Sequence, residues 1–200
     1  MLFRSGLSLT LDRLLPKEAA ARTGLVEAVR AVGPSASHAG LYLGFRHTDA
    51  ELGLTGTNLW LYGGHDHDAA VARYERDPDA PLPVVYVSFP SAKDPSFAER
   101  HPGRATVEMY AYTDFRHFER WVGTPWMKRG EDYLQCKRAI QERLLEELFR
   151  HVPAAQGRID VVEVSTPLTY ETFAKRERGG FMGVASCPQR FTQDWLQIGR

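Results

Sequence analysis

The stretch that decides the fold is FPSAKDPSFAERHPGRATVE, residues 89–108. It lies between two runs rich in β-branched and aromatic residues, 84–89 and 106–113, which predict two strands. Proline fixes φ and glycine allows a positive φ, so Asp94-Pro95 and Pro102-Gly103 predict turns between these strands. A long ordered loop between two strands of a compact domain is usually functional or mobile. This loop is therefore the first candidate for a functional segment.

Further strands are predicted on both sides of this loop. Residues 38–45 and 59–62 alternate apolar and other side chains with a period of two, and residues 159–164 form another strand-like run. A long helix is predicted over residues 131–151. Its apolar stripe has a spacing of four and consists of Cys136, Ile140, Leu144 and Leu148. The predicted fold class is α+β: a mixed, largely antiparallel sheet of about five strands with helices packed on one face.

Shorter helices are predicted elsewhere from their end signals. Pro16 opens a helical spacing of apolar residues that the Gly-Pro pair at 33–34 ends. Asp68 and Asp114 are predicted to cap the two short helices that follow them, because an aspartate oxygen accepts hydrogen bonds from free amides of the first turn.

Composition excludes some classes of protein. The chain has 200 residues and 43% hydrophobic content, enough for one domain with a core. Its 25 basic and 25 acidic residues give a formal charge of zero, which argues against a protein built to bind nucleic acid. No apolar run approaches the roughly 18 residues of a membrane-spanning helix. We expect a cytoplasmic protein, with contact to a membrane surface left open.

One segment of the sequence contains residue types that bind metal ions, but a metal site is not expected there. The segment GGHDHD, residues 63–68, offers two histidines and two aspartates that could hold a divalent ion. No further cluster of ligands is evident, and Asp68 already has a predicted capping role. Cys136 and Cys187 fit no metal spacing and are expected to be thiols, although a disulfide between them stays open.

Several short motifs together resemble the family of flavin enzymes that includes retinol saturases, phytoene desaturases and carotenoid isomerases. The motif PSAKDPSFAERHPGRAT, residues 90–106, carries the resemblance most clearly. The other motifs follow the family's order over residues 5–191 and are Thr57-Asn58, residues 128–133 (KRGEDY), residues 165–169 (STPLT) and residues 179–183 (GGFMG). The set is most similar to the retinol saturase branch.

The resemblance implies that one part of a larger enzyme binds the flavin and another part binds the substrate. The family binds FAD through a glycine-rich fingerprint, and this sequence contains no G-x-G-x-x-G. Residues 1–36 are accordingly expected to be a helical connector to a missing flavin-binding domain. Residues 37–200 are expected to be the substrate-binding domain, incomplete at its C-terminus. The intact enzyme would use FAD to saturate, desaturate or isomerise a conjugated isoprenoid, and this chain alone would be inactive.

Aromatic side chains on the predicted strands are candidates for binding such a substrate. They would share one sheet face if the strand registers agree, and they are Tyr42, Trp60, Tyr62, Tyr86, Tyr110 and Tyr112. Such a wall suits a long apolar ligand, because ligand pockets are mostly apolar. The alternative is ordinary β-propensity, with helices packed over the rings. Tyr62, Tyr86 and Tyr110 are our predicted substrate-binding residues from this set.

Further site residues come from the functional loop and from the resemblance. Lys93 is predicted to border the substrate cavity or the flavin domain, the alternative being a solvated lysine beside a turn. The resemblance implies that Thr166, Thr169 and Phe181 approach the substrate. It also implies that three glycines approach the flavin, since glycine permits close contact; these are Gly179, Gly180 and Gly183. The alternative there is a helix cap at Thr169 followed by a flexible loop.

Other functions have little or no support in the sequence. No G-x-S-x-G elbow indicates a hydrolase, and no P-loop indicates nucleotide hydrolysis. No catalytic acid or base is assigned, because in the family the flavin carries the redox chemistry. The alternative from another class is a stand-alone module that binds an apolar ligand without catalysis.

Overall fold

The computed structural model describes residues 6–192, whose contacts form two compact units. The sheet unit consists of residues 39–113 and 123–166. The helical unit consists, within the described residues, of 6–38, 114–122 and 167–192. The connector over residues 1–36 and its missing partner domain stay predictions.

Strands and short helices alternate along much of the chain. The strands are β1 Ser37–Phe45, β2 Leu59–Tyr62, β3 Val84–Ser88, β4 Ala105–Thr113 and β5 Ile159–Ser165. The α-helices are α1 Leu7–Leu9, α2 Lys17–Arg22, α3 Leu25–Val32, α4 Asp49–Leu52, α5 His67–Arg76, α6 Pro90–Lys93, α7 Phe97–Arg100, α8 Glu131–His151, α9 Pro167–Ala174 and α10 Pro188–Phe191. A π-helical turn occupies Thr10–Leu14, and 3-10 turns occupy Phe115–Trp121, Pro153–Ala155 and Glu177–Gly179.

The sheet confirms the predicted fold class. Its strand order is β2-β3-β4-β1-β5, and β2 with β3, β3 with β4, and β1 with β5 pair antiparallel. The structure is thus an α+β fold with one open five-stranded sheet and helices packed around it.

The core of the sheet unit lies between one face of the sheet and α8. Alternate residues of β1, β3 and β4 point into it, and Leu41, Val107 and Met109 have no measurable exposure. Leu144 and Leu148 meet them from α8 and are also fully buried. The apolar stripe of the sequence therefore marks the face of α8 that covers the sheet.

The loop between β3 and β4 is more regular than the sequence predicts. It contains the one-turn helices α6 and α7. Ser91 fixes the first of them, because its hydroxyl donates to Asp49 Oδ1 (2.5 Å) and accepts from the Thr106 amide (2.9 Å). The prediction of a long ordered loop did not include these two helices, since one turn of helix is too short to show a hydrophobic period.

Two other expectations about helices need correction. Asp66, and not Asp68, caps α5: Asp66 Oδ1 accepts from the Ala69 amide at 3.0 Å, and the helix begins at His67. The helix predicted after Pro16 is divided into α2 and α3, because Gly24 adopts φ +65°. The predicted cap at Asp114 is confirmed, although the turn that follows it is a 3-10 helix.

The helical unit has a small core of its own. Leu11, Val29 and Val184 are buried together. The segment after α9 runs beside residues 33–37: the Ser35 amide donates to Gly183 O (2.8 Å), and the Phe181 amide donates to Ala36 O (3.0 Å). Neither unit contains, within residues 6–192, a helix that is both long and apolar enough to cross a bilayer.

Candidate functional site: an aromatic row on the sheet

Four aromatic rings form a continuous row across the sheet unit. We call Trp60, Tyr86, Tyr110 and Tyr42 the aromatic row. Trp60 is directly opposite Tyr86 in the strand register, and Tyr86 is opposite Tyr110. The ring centroids are 4.8 Å apart for Trp60 and Tyr86, 6.2 Å for Tyr86 and Tyr110, and 5.9 Å for Tyr110 and Tyr42. Three strand spacings separate its ends, a span of about 14 Å.

The row lies on the sheet face opposite α8. Side chains alternate along each strand, and the residues flanking Tyr86, Val85 and Val87, point into the core. Trp60 is 60% exposed, whereas the three tyrosines are half-buried. The strand registers therefore place these rings on one face of the sheet, as predicted. The role of the rings in ligand binding stays a prediction.

Tyr62 and Tyr112 lie on the same face but outside the row. The Tyr62 ring packs against His67, with centroids 4.5 Å apart. The Tyr112 hydroxyl donates to Glu75 Oε1 at 2.6 Å. Both side chains thus have local partners on α5, and the predicted role of Tyr62 in substrate binding is not tested by this geometry.

A glycine on β1 gives Tyr42 its position. A Cβ atom at Gly40 would lie 2.9 Å from the Tyr42 hydroxyl and 2.7 Å from Ser165 Oγ. The Tyr42 side chain therefore extends over Gly40, where its hydroxyl lies 3.3 Å from Ser165 Oγ. Only glycine leaves room for this arrangement.

Lys93 lies beside the row, at a group of polar side chains that we call the polar end: Asn58, Ser88, Lys93 and Glu108. Lys93 Nζ donates to Ser88 Oγ (2.8 Å) and to Asn58 Oδ1. Ser88 is opposite Glu108 in the register, and Glu108 Oε2 accepts from the Tyr110 hydroxyl at 3.0 Å. The structure thus connects Lys93 to the row through hydrogen bonds and strand pairing, while its role in binding stays a prediction.

Tyr110, the ring of the row next to Glu108, carries no charge at neutral pH. Burial raises the pKa of the Tyr110 hydroxyl far above its usual value, and the neighbouring Tyr42 and Glu108 raise this pKa further. Tyr110 therefore keeps its proton and remains a hydrogen-bond donor. A surface of neutral rings suits an uncharged apolar ligand.

The predicted threonines lie in different units. Thr166 belongs to the sheet unit and is fully buried, with its hydroxyl 2.7 Å from that of Tyr133. Thr169 belongs to the helical unit and is half-buried inside α9. Because α9 begins at Pro167, the alternative of a helix cap at Thr169 was wrong.

The glycines that the resemblance assigns to flavin contact differ in the space around them. A Cβ atom at Gly179 would lie 2.6 Å from the Cα and carbonyl oxygen of Pro167, and one at Gly180 would lie 3.3 Å from Ser35 O. Gly183 has no atom within 4 Å of that position. At Gly179 and Gly180 the space that a Cβ atom would need is taken by the chain itself, and the flavin contact of all three glycines stays a prediction.

We expect Gly179→Ala to destabilise the helical unit by about 1–3 kcal/mol, because alanine adds both a clash and backbone strain. Gly179 has φ +60°, and its missing Cβ faces the Pro167 backbone. The measurement is denaturant unfolding of the full chain without any cofactor. Gly183→Ala is the matched control: φ is +85° but the space is open, so only strain of about 1 kcal/mol is expected. Equal stability of Gly179→Ala and the unmodified chain would contradict the packing on Pro167.

Phe181 contacts the buried His38 ring, which the sequence does not reveal, although Phe181 itself is 50% exposed. The His38 imidazole lies between Tyr170 and Phe181, at centroid distances of 4.3 and 4.2 Å. Burial lowers the pKa of His38 to about 4, so the ring is neutral at pH 7. His38 is more than 130 positions from Tyr170 and Phe181, and no local pattern indicates that it meets them.

The other candidate sites offer fewer groups that could bind a ligand or catalyse a reaction. Among residues 6–192, no group of three or more His, Cys, Asp or Glu side chains is placed to hold a metal ion. Neither Cys136 nor Cys187 forms a disulfide among the described residues. A groove of about 670 Å³ runs beside β2 in the sheet unit, where Arg143, Glu147 and Arg150 of α8 give it a charged lining.

Together these features define an α+β domain whose sheet presents an aromatic face. No protein-family model matches the sequence. Curated relatives do: human all-trans-retinol 13,14-reductase is 31% identical over 183 residues, 90% of this chain and 30% of the relative. The zebrafish (Danio rerio) enzyme of that name is 27% identical over 95% of this chain and 32% of its own length. A zebrafish protein named inactive all-trans-retinol 13,14-reductase is 29% identical over 82% of this chain and 28% of its own length.

These relatives confirm the resemblance to the retinol saturase family of oxidoreductases that the ordered motifs predict. The chain spans about 30% of the length of the curated relatives that it matches.

Proposed function

We propose that the sheet unit is the substrate-binding part of an oxidoreductase that acts on a conjugated isoprenoid, and that the aromatic row holds the polyene. The observation that carries this proposal is the continuity of the row, four rings on four neighbouring strands. Relatives named all-trans-retinol 13,14-reductase support a retinoid as the ligand.

The physical basis is the match between a flat, conjugated chain and a flat, neutral surface. Aromatic contacts contribute about 0.5–1.5 kcal/mol per pair beyond the area that they bury. A ligand lying across the strands would contact Trp60, Tyr86, Tyr110 and Tyr42 in turn. Neighbouring rings already contact one another, so ligand binding would cost little side-chain conformational entropy.

The redox step is proposed to come from FAD bound by another part of the enzyme, because the glycines at 179 and 180 pack against their own chain. When bound there, a flavin would supply the electron transfer, and the residues of the sheet unit would bind and orient the polyene. A relative named inactive all-trans-retinol 13,14-reductase also aligns with this chain, so similarity to these proteins does not by itself imply catalysis. For the same reason, a binding module without catalysis stays the alternative.

The test is equilibrium titration of the full 200-residue chain with all-trans-retinol, followed by tryptophan fluorescence, with and without added FAD. We expect saturable retinol binding that does not require FAD, and no flavin absorbance in the purified chain. Retinol uptake that never saturates would contradict the binding role. A chain that purifies with bound flavin would contradict the proposal that another part of the enzyme binds FAD.

A further inference from the structure

We infer that Lys93 sets the specificity of the polar end: its ammonium group binds the terminal oxygen of a polyene alcohol, so that the site selects an alcohol over the corresponding hydrocarbon or acid. This inference rests on the proposed function, because it requires a polyene on the aromatic row. It adds the residue that binds the terminal oxygen of the polyene.

The backbone brings the lysine side chain back to the sheet. Lys93 is the last residue of α6, which begins only two residues after β3 ends at Ser88. Its Nζ atom lies 2.8 Å from Ser88 Oγ and is also hydrogen-bonded to Asn58, which precedes β2. The last residue of β3 and the residue before β2 thus hold the ammonium group in a defined place, although much of Lys93 is exposed.

The ammonium group retains capacity for a ligand. It has three N–H donors, and Ser88 and Asn58 accept from two of them. Both acceptors are neutral, and within residues 6–192 no carboxylate oxygen lies within 4.0 Å of Lys93 Nζ. An ammonium group held by two neutral acceptors has one N–H donor left, and this donor favours an oxygen acceptor on a ligand.

The position of the polar end beside the row fits a ligand with one polar terminus. Ser88 lies two residues after Tyr86 on the same face of β3, a distance of about 7 Å along the strand. A polyene that crosses the row obliquely, from Tyr42 over Tyr110 to Tyr86, could therefore place its terminal oxygen at Lys93. The rings would contact the hydrocarbon part and the ammonium group would contact the oxygen.

The charges around Ser88 favour an alcohol over an acid. Glu108 is opposite Ser88 in the strand register, and Ser88 Oγ accepts a hydrogen bond from Lys93. A hydroxyl group can accept from Lys93 and also donate to Glu108 or Ser88. A ligand carboxylate would pair with the Lys93 ammonium group, but it could not donate to Glu108 or Ser88, and the like charge of Glu108 would oppose it.

The test compares three polyenes of equal length, all-trans-retinol, its hydrocarbon analogue and retinoic acid, on the full chain and on Lys93→Met. Methionine keeps a long side chain without the charge. We expect Lys93→Met to weaken retinol binding about tenfold or more, because a hydrogen bond to a charged group is lost, and to leave hydrocarbon binding unchanged. Asn58→Ala is expected to reduce the preference for the alcohol partly, since it removes one of the two acceptors that hold Nζ.

Lys128→Met is the matched control, because Lys128 is an exposed lysine of the same unit outside the polar end, and it should leave all three affinities unchanged. An equal loss for alcohol and hydrocarbon in Lys93→Met would overturn the inference and leave the proposed function standing. Tighter binding of the acid than of the alcohol by the unmodified chain would also overturn it. Failure of the unmodified chain to bind any of the polyenes would refute the proposed function itself.

Discussion

Replacing Tyr86 and Tyr110 together by alanine is expected to weaken retinol binding about a hundredfold, since each ring contributes roughly tenfold, or about 1.4 kcal/mol. Tyr86 is the central ring, with Trp60 on one side and Tyr110 on the other. Its loss interrupts the row, and the loss of Tyr110 removes the link to Tyr42. The measurement is the dissociation constant for retinol from fluorescence titration.

The control for this loss is Phe173→Ala, which removes a ring of the helical unit that is 62% exposed. It is expected to leave retinol affinity unchanged. Thermal unfolding of each variant must show that the sheet unit is still folded. If the folded double variant binds retinol as tightly as the unmodified chain, the aromatic row is not the binding surface.

Leu148→Ala is expected to lower the free energy of unfolding by about 2–5 kcal/mol, because it leaves a cavity between α8 and the sheet. Leu148 is fully buried in the largest apolar cluster of the sheet unit. Urea unfolding followed by circular dichroism measures the change, and the loss of the sheet signal should move to lower urea concentration.

Leu134→Ala provides the matched comparison on the same helix. Leu134 is 47% exposed, so its truncation should change the stability by only about 0.5 kcal/mol. A similar cost for both variants would show that the two faces of α8 do not differ as the structure describes.

The long, periodic elements could be predicted from the sequence. Helix α8 begins and ends where its apolar stripe and flanking residues predict, at Glu131 and His151. Short elements could not, because a four-residue helix such as α6 contains one turn and no period. The cap at Asp66 was missed for a related reason: residues 63–68 offer two aspartates, and local preference does not choose between them.

The candidate site was only partly visible in the sequence. Alternation placed Tyr86 and Tyr110 on one face of their strands, but their direct pairing depends on register, which tertiary contacts set. The hydrogen bond from Lys93 to Asn58 joins residues 35 positions apart, and no local pattern indicates it. The packing of Gly179 on Pro167 was hidden for the same reason, since a glycine next to a ligand and one next to its own chain look alike in a sequence.

The most direct measurement is photoaffinity labelling of the full chain with a retinol analogue that carries a diazirine, followed by mass spectrometry of the labelled peptides. The account predicts labels within residues 59–62, 84–88 and 105–113 that unlabelled retinol displaces. Displaceable labels confined to the charged groove residues of α8, or to the helical unit, would contradict it.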